Sequence, residues 1–173
     1  ELDDKVIFES DRLEHAFSDI PGQWGAIWFK EGSKNNVINH ALIKNASIGI
    51  IVDATGDNLI PALKIKNTEI YNSAQFGILG QNANISGENI VINNSGQSSL
   101  ACTGGGTYNF NHCTFANFWN STLREYPSVW INNYKIDFNN EGGQLNPGDL
   151  AANFINCIID GNRGLDNQYN NKT

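Results

Sequence analysis

Two of the three histidines, the three cysteines and a scatter of carboxylates are the side chains of this sequence that could do chemistry. His40 stands in Ile38-Asn39-His40-Ala41 and His112 in Phe110-Asn111-His112-Cys113, so both follow an Asn in an apolar/polar alternation. Imidazole at such a spot suits proton transfer or metal ligation. Cys102, Cys113 and Cys157 are odd in number and unevenly spaced, which supplies neither a disulfide framework nor a zinc signature. A polysaccharide lyase needs a base and a cation over a uronate, and a hydrolase needs two carboxyls at a set separation. The acids here are spread as Asp53 and Asp57, Asp137 and Glu141, then Asp149, Asp160 and Asp166, and no Asp-Asp or Asp-x-Asp pair falls on a strand-like stretch. Either reaction would require Asp137, Arg124 and Glu125, or Asp53 and Asp57, to converge in the fold. Asp53 and Asp57 could also hold calcium, although a solvated loop explains them as well. Gly104-Gly105-Gly106 lacks the Lys-Ser/Thr of a phosphate loop and reads as a flexible turn between strands.

The histidines lose their distinction once the chain is compared with itself. Stretches beginning at Ile38, Ile65, Gly87, Phe110 and Phe154 share one pattern: apolar, any, Asn/His, small or apolar, any, large apolar, any, Asn/Gly. Their starts lie 27, 22, 23 and 44 residues apart, and 44 reads as two periods with one degenerate copy between. A second element precedes each copy: Gly25-Ala26-Ile27-Trp28, Gly49-Ile50-Ile51-Val52, Gly77-Ile78-Leu79-Gly80, Ser99-Leu100-Ala101-Cys102 and Ser128-Val129-Trp130-Ile131. Each repeat thus holds three short strands, and a triplet recurring at this period points to a coil with equivalent strands stacked in parallel. The expected fold is all-β, a right-handed single-stranded parallel β-helix of about five rungs. His40, Asn67, Asn89, His112 and Asn156 then form one structural turn column, in which Asn bonds along the column and a His ring N–H fills the same role. Alternation assigns Ala26, Trp28, Ile50 and Val52 to the interior of the first strand. It places Cys113 and Cys157 in one interior column, two rungs or roughly 10 Å apart, as free thiols beyond disulfide reach. No catalytic residue and no metal ligand emerges.

The repeat, roughly Gly-Ile, spacer, Ile-x-Asn-Asn-x-Ile-x-Asn, resembles the right-handed parallel β-helix repeat proteins over residues 25–161. Asp11-Arg12-Leu13-Glu14 and Pro21-Gly22-Gln23-Trp24 resemble the same region of secreted or surface lipoproteins of Bacteroidetes-type bacteria. The resemblance implies a pectin lyase-like fold and an extracellular, cell-surface or outer-membrane location, with a lipid anchor in the full-length protein. It leaves function open, because the family includes lyases, hydrolases, adhesins and members of unknown role. Residues 1–24 read as an irregular leading segment and 162–173 as a tail, together one domain of a longer protein or assembly.

The period breaks at 117–127 and 132–153, and long loops on a repeat array are where binding residues gather. Trp119, Arg124, Tyr126, Trp130, Tyr134 and Asp137 lie there, with Phe118 and Glu125. Aromatic faces beside polar groups suit sugar rings; covering the flank of the coil is the structural alternative. A net charge of −7 argues against nucleic acid and anionic membrane, and no stretch is apolar enough to insert in a bilayer. Three function classes follow: a non-catalytic module binding a glycan or protein partner through 117–137, a lyase or hydrolase, or a structural component of a surface assembly. No cofactor is expected apart from the calcium option.

Overall fold

The computed structural model describes residues 4–12, 14–55, 60–137 and 144–162, with main chain alone at 135–137 and 144–146. The described residues are all-β: β1 Val6–Phe8, β2 Ile27–Phe29, β3 Asn36–Asn39, β4 Ala41–Lys44, β5 Ile50–Val52, β6 Leu63–Ser73, β7 Phe76–Ser95, β8 Ser98–Asn111, β9 Thr114–Asn117, β10 Val129–Ile131, β11 Tyr134–Asp137, β12 Gln144–Pro147, β13 Leu150–Ile155 and β14 Ile158–Gly161. One 3-10 turn, His15–Phe17, lies in the leading segment. Twelve strands join one sheet whose pairings are all parallel, and β11 and β12 pair antiparallel by themselves.

The parallel pairings fall into three ladders. The first runs β2, β5, β7, β8, β10. The second runs β3, β6, β7, β8, β13. The third runs β1, β4, β6, β7, β9, β14. The strands β6, β7 and β8 are 11, 20 and 14 residues long and serve more than one ladder. They are longer than the short strands expected because the chain bends without leaving its hydrogen bonds. Asn and His supply the bends. His40, Asn67, Asn89, His112 and Asn156 have φ between 48° and 54°, the left-handed region where Asn and His are enriched among non-glycine residues. Asn45, Asn72 and Asn94 form a second such set, with φ of 62°, 55° and 58°. Gly104, Gly105 and Gly106, at φ of 71°, 92° and 112°, make an ordered corner inside β8, opposite the register shift between Gln81 and Ala83.

Inner residues of all three ladders meet in one apolar cluster that includes Ile50, Ile78, Ile65, Tyr108, Ile70 and Phe115. Burial of each such side chain stabilises the fold by about 1.5–3 kcal/mol. At two positions a glycine makes room for a large aromatic side chain. Gly87 stands between Ile65 and Phe110, and a Cβ there would lie 2.4 Å from Phe110 Cδ1. Gly80 likewise leaves room for Tyr108, whose hydroxyl donates to Gly105 O at 3.0 Å and accepts from Ala83 N at 3.3 Å.

Two expectations are corrected. The 44-residue spacing holds no degenerate copy: β13 pairs directly with β8 and β14 directly with β9, and the extra length accommodates the β11–β12 hairpin. In the first repeat the faces are reversed. Ile27 aligns with Ile50 and Phe29 with Val52, so Ile27 and Phe29 pack on the core while Trp28 is 53% exposed. A slip of one residue exchanges every side chain between faces.

Candidate functional site

The exposure of Trp28 defines the outer side of the first ladder. Register places Trp28, Ile51, Leu79, Ala101 and Trp130 directly across from one another on five successive strands. Their neighbours Ile50, Ile78 and Leu100 are core residues, so this row faces outward. At about 4.8 Å per strand, the two tryptophans bracket an apolar row of roughly 19 Å.

Beside the Trp28 end lies a cleft of about 470 Å³, lined by Trp28, Lys30, Glu31, Asp53, Thr55, Gln81 and Asn82. Asp53 follows β5 and accepts a hydrogen bond from Trp28 Nε1 through Oδ2 at 2.7 Å, which fixes the indole against the next strand. Its other oxygen, Oδ1, is buried with no hydrogen-bond partner among the described residues. Lys30 Nζ sits 4.7 Å from the Trp28 ring centroid, a cation–π contact. Asn82, at φ 50°, carries the turn that presents Gln81 and Asn82 to the cleft. A smaller cleft of about 240 Å³ shares Thr55 and Asn82 and continues past Asn84 and Thr107 to Asp149. An apolar row is thus flanked at one end by acids, amides and one ammonium.

The residues singled out at 117–137 separate into packed and open groups. Trp119 is 5% exposed and donates from Nε1 to Thr122 Oγ1 at 3.0 Å. Arg124 is 3% exposed and its guanidinium bonds to Tyr126 O and Asn162 O, tying the loop to the end of β14. Tyr126 lies against Trp130 at 4.8 Å between ring centroids, and Trp130 stacks on Phe76 at 6.4 Å. This outer aromatic group lies beside Ala101, which is fully buried without belonging to the main core. Tyr134 is 39% exposed, and the side chain of Asp137 lies outside the described residues. Trp130 therefore joins the row that Trp28 begins, while Trp119 and Arg124 serve packing.

His40 and His112 are exposed, and neither imidazole has a hydrogen bond among the described residues. They supply the bend and not the side-chain ladder. Amides carry that ladder: Asn67 Nδ2 donates to Asn39 Oδ1 at 3.0 Å and Asn89 Nδ2 to Asn67 Oδ1 at 2.8 Å. Asp57, Glu141 and Asp166 lie outside the described residues, and no group of three or more His, Cys, Asp or Glu among the described residues could hold a metal ion. Cys102 and Cys113 are buried, Cys157 is half-buried, and all are free. Cys157 is not two strands from Cys113: the pairing of Ile158 with Thr114 makes the two cysteines neighbours.

Sequence reading missed Trp28 as a surface residue, and with it Asp53, Gln81 and Asn82 as one site. The available signal was Ile27-Trp28-Phe29 itself, whose alternation fits the core equally well with Ile and Phe inward. No protein-family model, curated protein or solved structure matches the chain.

Proposed function

We propose that the chain winds as a right-handed parallel β-helix of about five turns and acts as a non-catalytic, secreted or cell-surface module that binds a glycan. One observation carries the functional part: the outward row from Trp28 to Trp130 with the polar cleft at its Trp28 end. The parallel ladders at repeat spacing, with one shared core, support the coil. The C–H faces of a sugar ring pack on an indole, and its hydroxyls need donors and acceptors at the rim. Lys30, Gln81 and Asn82 donate; Glu31 and Asp53 accept. Two acids against one ammonium disfavour a uronate, so the fitting ligand is a neutral oligosaccharide that starts on Trp28 at the cleft and runs over Ile51 and Leu79 toward the aromatic group beside the buried Ala101. The Tyr126–Trp130 pair from the 117–137 region forms the far end.

A glycan array followed by titration calorimetry tests this reading. Neutral oligosaccharides should bind, Trp28→Ala should weaken binding about tenfold or more, and Phe118→Ala should leave it unchanged. Absence of any bound glycan, or equal binding by Trp28→Ala, would overturn it.

Assembly with a protein partner is the second reading, favoured by the outer strands of the third ladder. Val6 and Ile7 on β1 and Ile158 and Ile159 on β14 are each more than half exposed. Such edges offer unpaired backbone groups and apolar side chains to another chain.

A further inference from the structure

We propose that Cys113 and Cys157 form a disulfide in an oxidising medium, clipping β14 onto β9. Nothing in this proposal depends on the glycan reading. The two strands pair in register, Ile158 opposite Thr114, and Ile158 N donates to Cys113 O at 2.9 Å. Cys157 therefore lies one strand spacing from Cys113, about 4.8 Å, inside the Cα range of roughly 4.4–6.8 Å that a disulfide spans. The preceding turn residues, His112 and Asn156, have φ of 53° and 52°, so both cysteines leave matching bends in the same direction. Their sulfurs are oriented alike, Cys113 Sγ donating to Asn111 O at 3.2 Å and Cys157 Sγ to Ile155 O at 3.3 Å. Cys157 Sγ also lies 3.5 Å from Phe110 O, on the neighbouring chain segment that leads into Cys113. Cys102 belongs to the first ladder beside Gly80 and Ile131 and has no cysteine opposite it.

The route of oxidation follows from burial. Cys113 is 1% exposed, and burial pushes its thiol up to about 11, whereas Cys157 is half-buried directly before β14. Burial also pushes the Cys102 thiol well above its ordinary value. With glutathione disulfide as oxidant, the Cys157 thiolate attacks one sulfur of the oxidant and releases one glutathione thiolate. Cys113 then loses its proton to solvent, attacks the Cys157 sulfur of the mixed disulfide and expels the second glutathione. The two protein thiols lose two electrons and two protons; the oxidant gains both as two glutathione thiols.

The test equilibrates the purified chain across glutathione redox buffers and reads intact mass, non-reducing peptide maps and melting temperature. The expected result is loss of the mass of two hydrogens, a Cys113–Cys157 cross-linked peptide and a free Cys102. The oxidised protein should melt several degrees higher, because the bond closes a loop of dozens of residues in the unfolded chain. Dithiothreitol and Cys157→Ser should each abolish the rise, and Cys102→Ser should retain it. Three free thiols after full equilibration, a persistent glutathione adduct at Cys157, or a bond to Cys102 would each overturn the proposal.

Discussion

Asn67 does two jobs with one side chain: it takes a left-handed backbone conformation at φ 48° and passes a hydrogen bond along the column to Asn39. Alanine forfeits both, whereas glycine keeps the backbone freedom. Asn67→Ala should therefore lower unfolding free energy by about 1–2 kcal/mol in denaturant titration, and Asn67→Gly by less. Gly87 is the converse case, a residue defined by what it omits. Its missing Cβ would meet Phe110 Cδ1 at 2.4 Å and Ile90 Cδ1 at 2.6 Å. Gly87→Ala should cost about 1–3 kcal/mol, and adding Phe110→Leu should recover part of that loss in a double-mutant cycle. On the exposed face, the hydrogen bond from Lys66 at 2.5 Å holds the Glu88 carboxyl below its ordinary value. An NMR titration should find Glu88 lowered in the native chain and returned toward the ordinary value in Lys66→Met.

At the scale of elements, the third ladder recruits the leading segment through β1 and two ion pairs, Lys5–Glu69 and Lys44–Glu9, both at 2.6 Å. The hydrogen bond to Glu9 raises the Lys44 ammonium above its ordinary 10.5. A raised lysine contributes stability fully below 10.5 and loses it as pH rises through the higher folded-state value. The protection factors of residues 4–12, taken relative to intrinsic exchange at each pH, should therefore fall at alkaline pH, and much less so in Lys44→Met. The β11–β12 hairpin pairs with itself and interrupts no ladder. Replacing residues 134–147 by a short glycine-serine link should leave the far-ultraviolet spectrum in place; collapse of that spectrum would place the hairpin in the fold's foundation. The repeat, its turn residues and most core positions were legible because a spacing of 22 to 29 residues recurs in the pairings themselves. Two features were not. The hairpin and the enlarged 117–127 stretch together add about one period, so spacing alone mimics a missing copy. Ile27-Trp28-Phe29 is apolar on both faces, so alternation cannot say which side is inside; only alignment with Ile50 and Val52 decides it.

For the whole molecule, the outer side of the first ladder bears Trp28 and Trp130 on one row, with a polar cleft at the Trp28 end. On the proposed function, a whole-chain net charge of −7 repels polyanions and leaves uncharged sugars unaffected. The chain's four tryptophans provide an internal control for the binding claim. Trp24 and Trp119 donate their indole N–H to Lys44 O and Thr122 Oγ1, away from the row. Trp28 and Trp130 lie on it. The most direct measurement is an NMR titration of the four indole N–H signals with the neutral oligosaccharide ranked first on the array. The Trp28 and Trp130 signals should shift together and saturably while those of Trp24 and Trp119 stay fixed; movement confined to Trp24 or Trp119, or no saturable shift at all, would contradict the account.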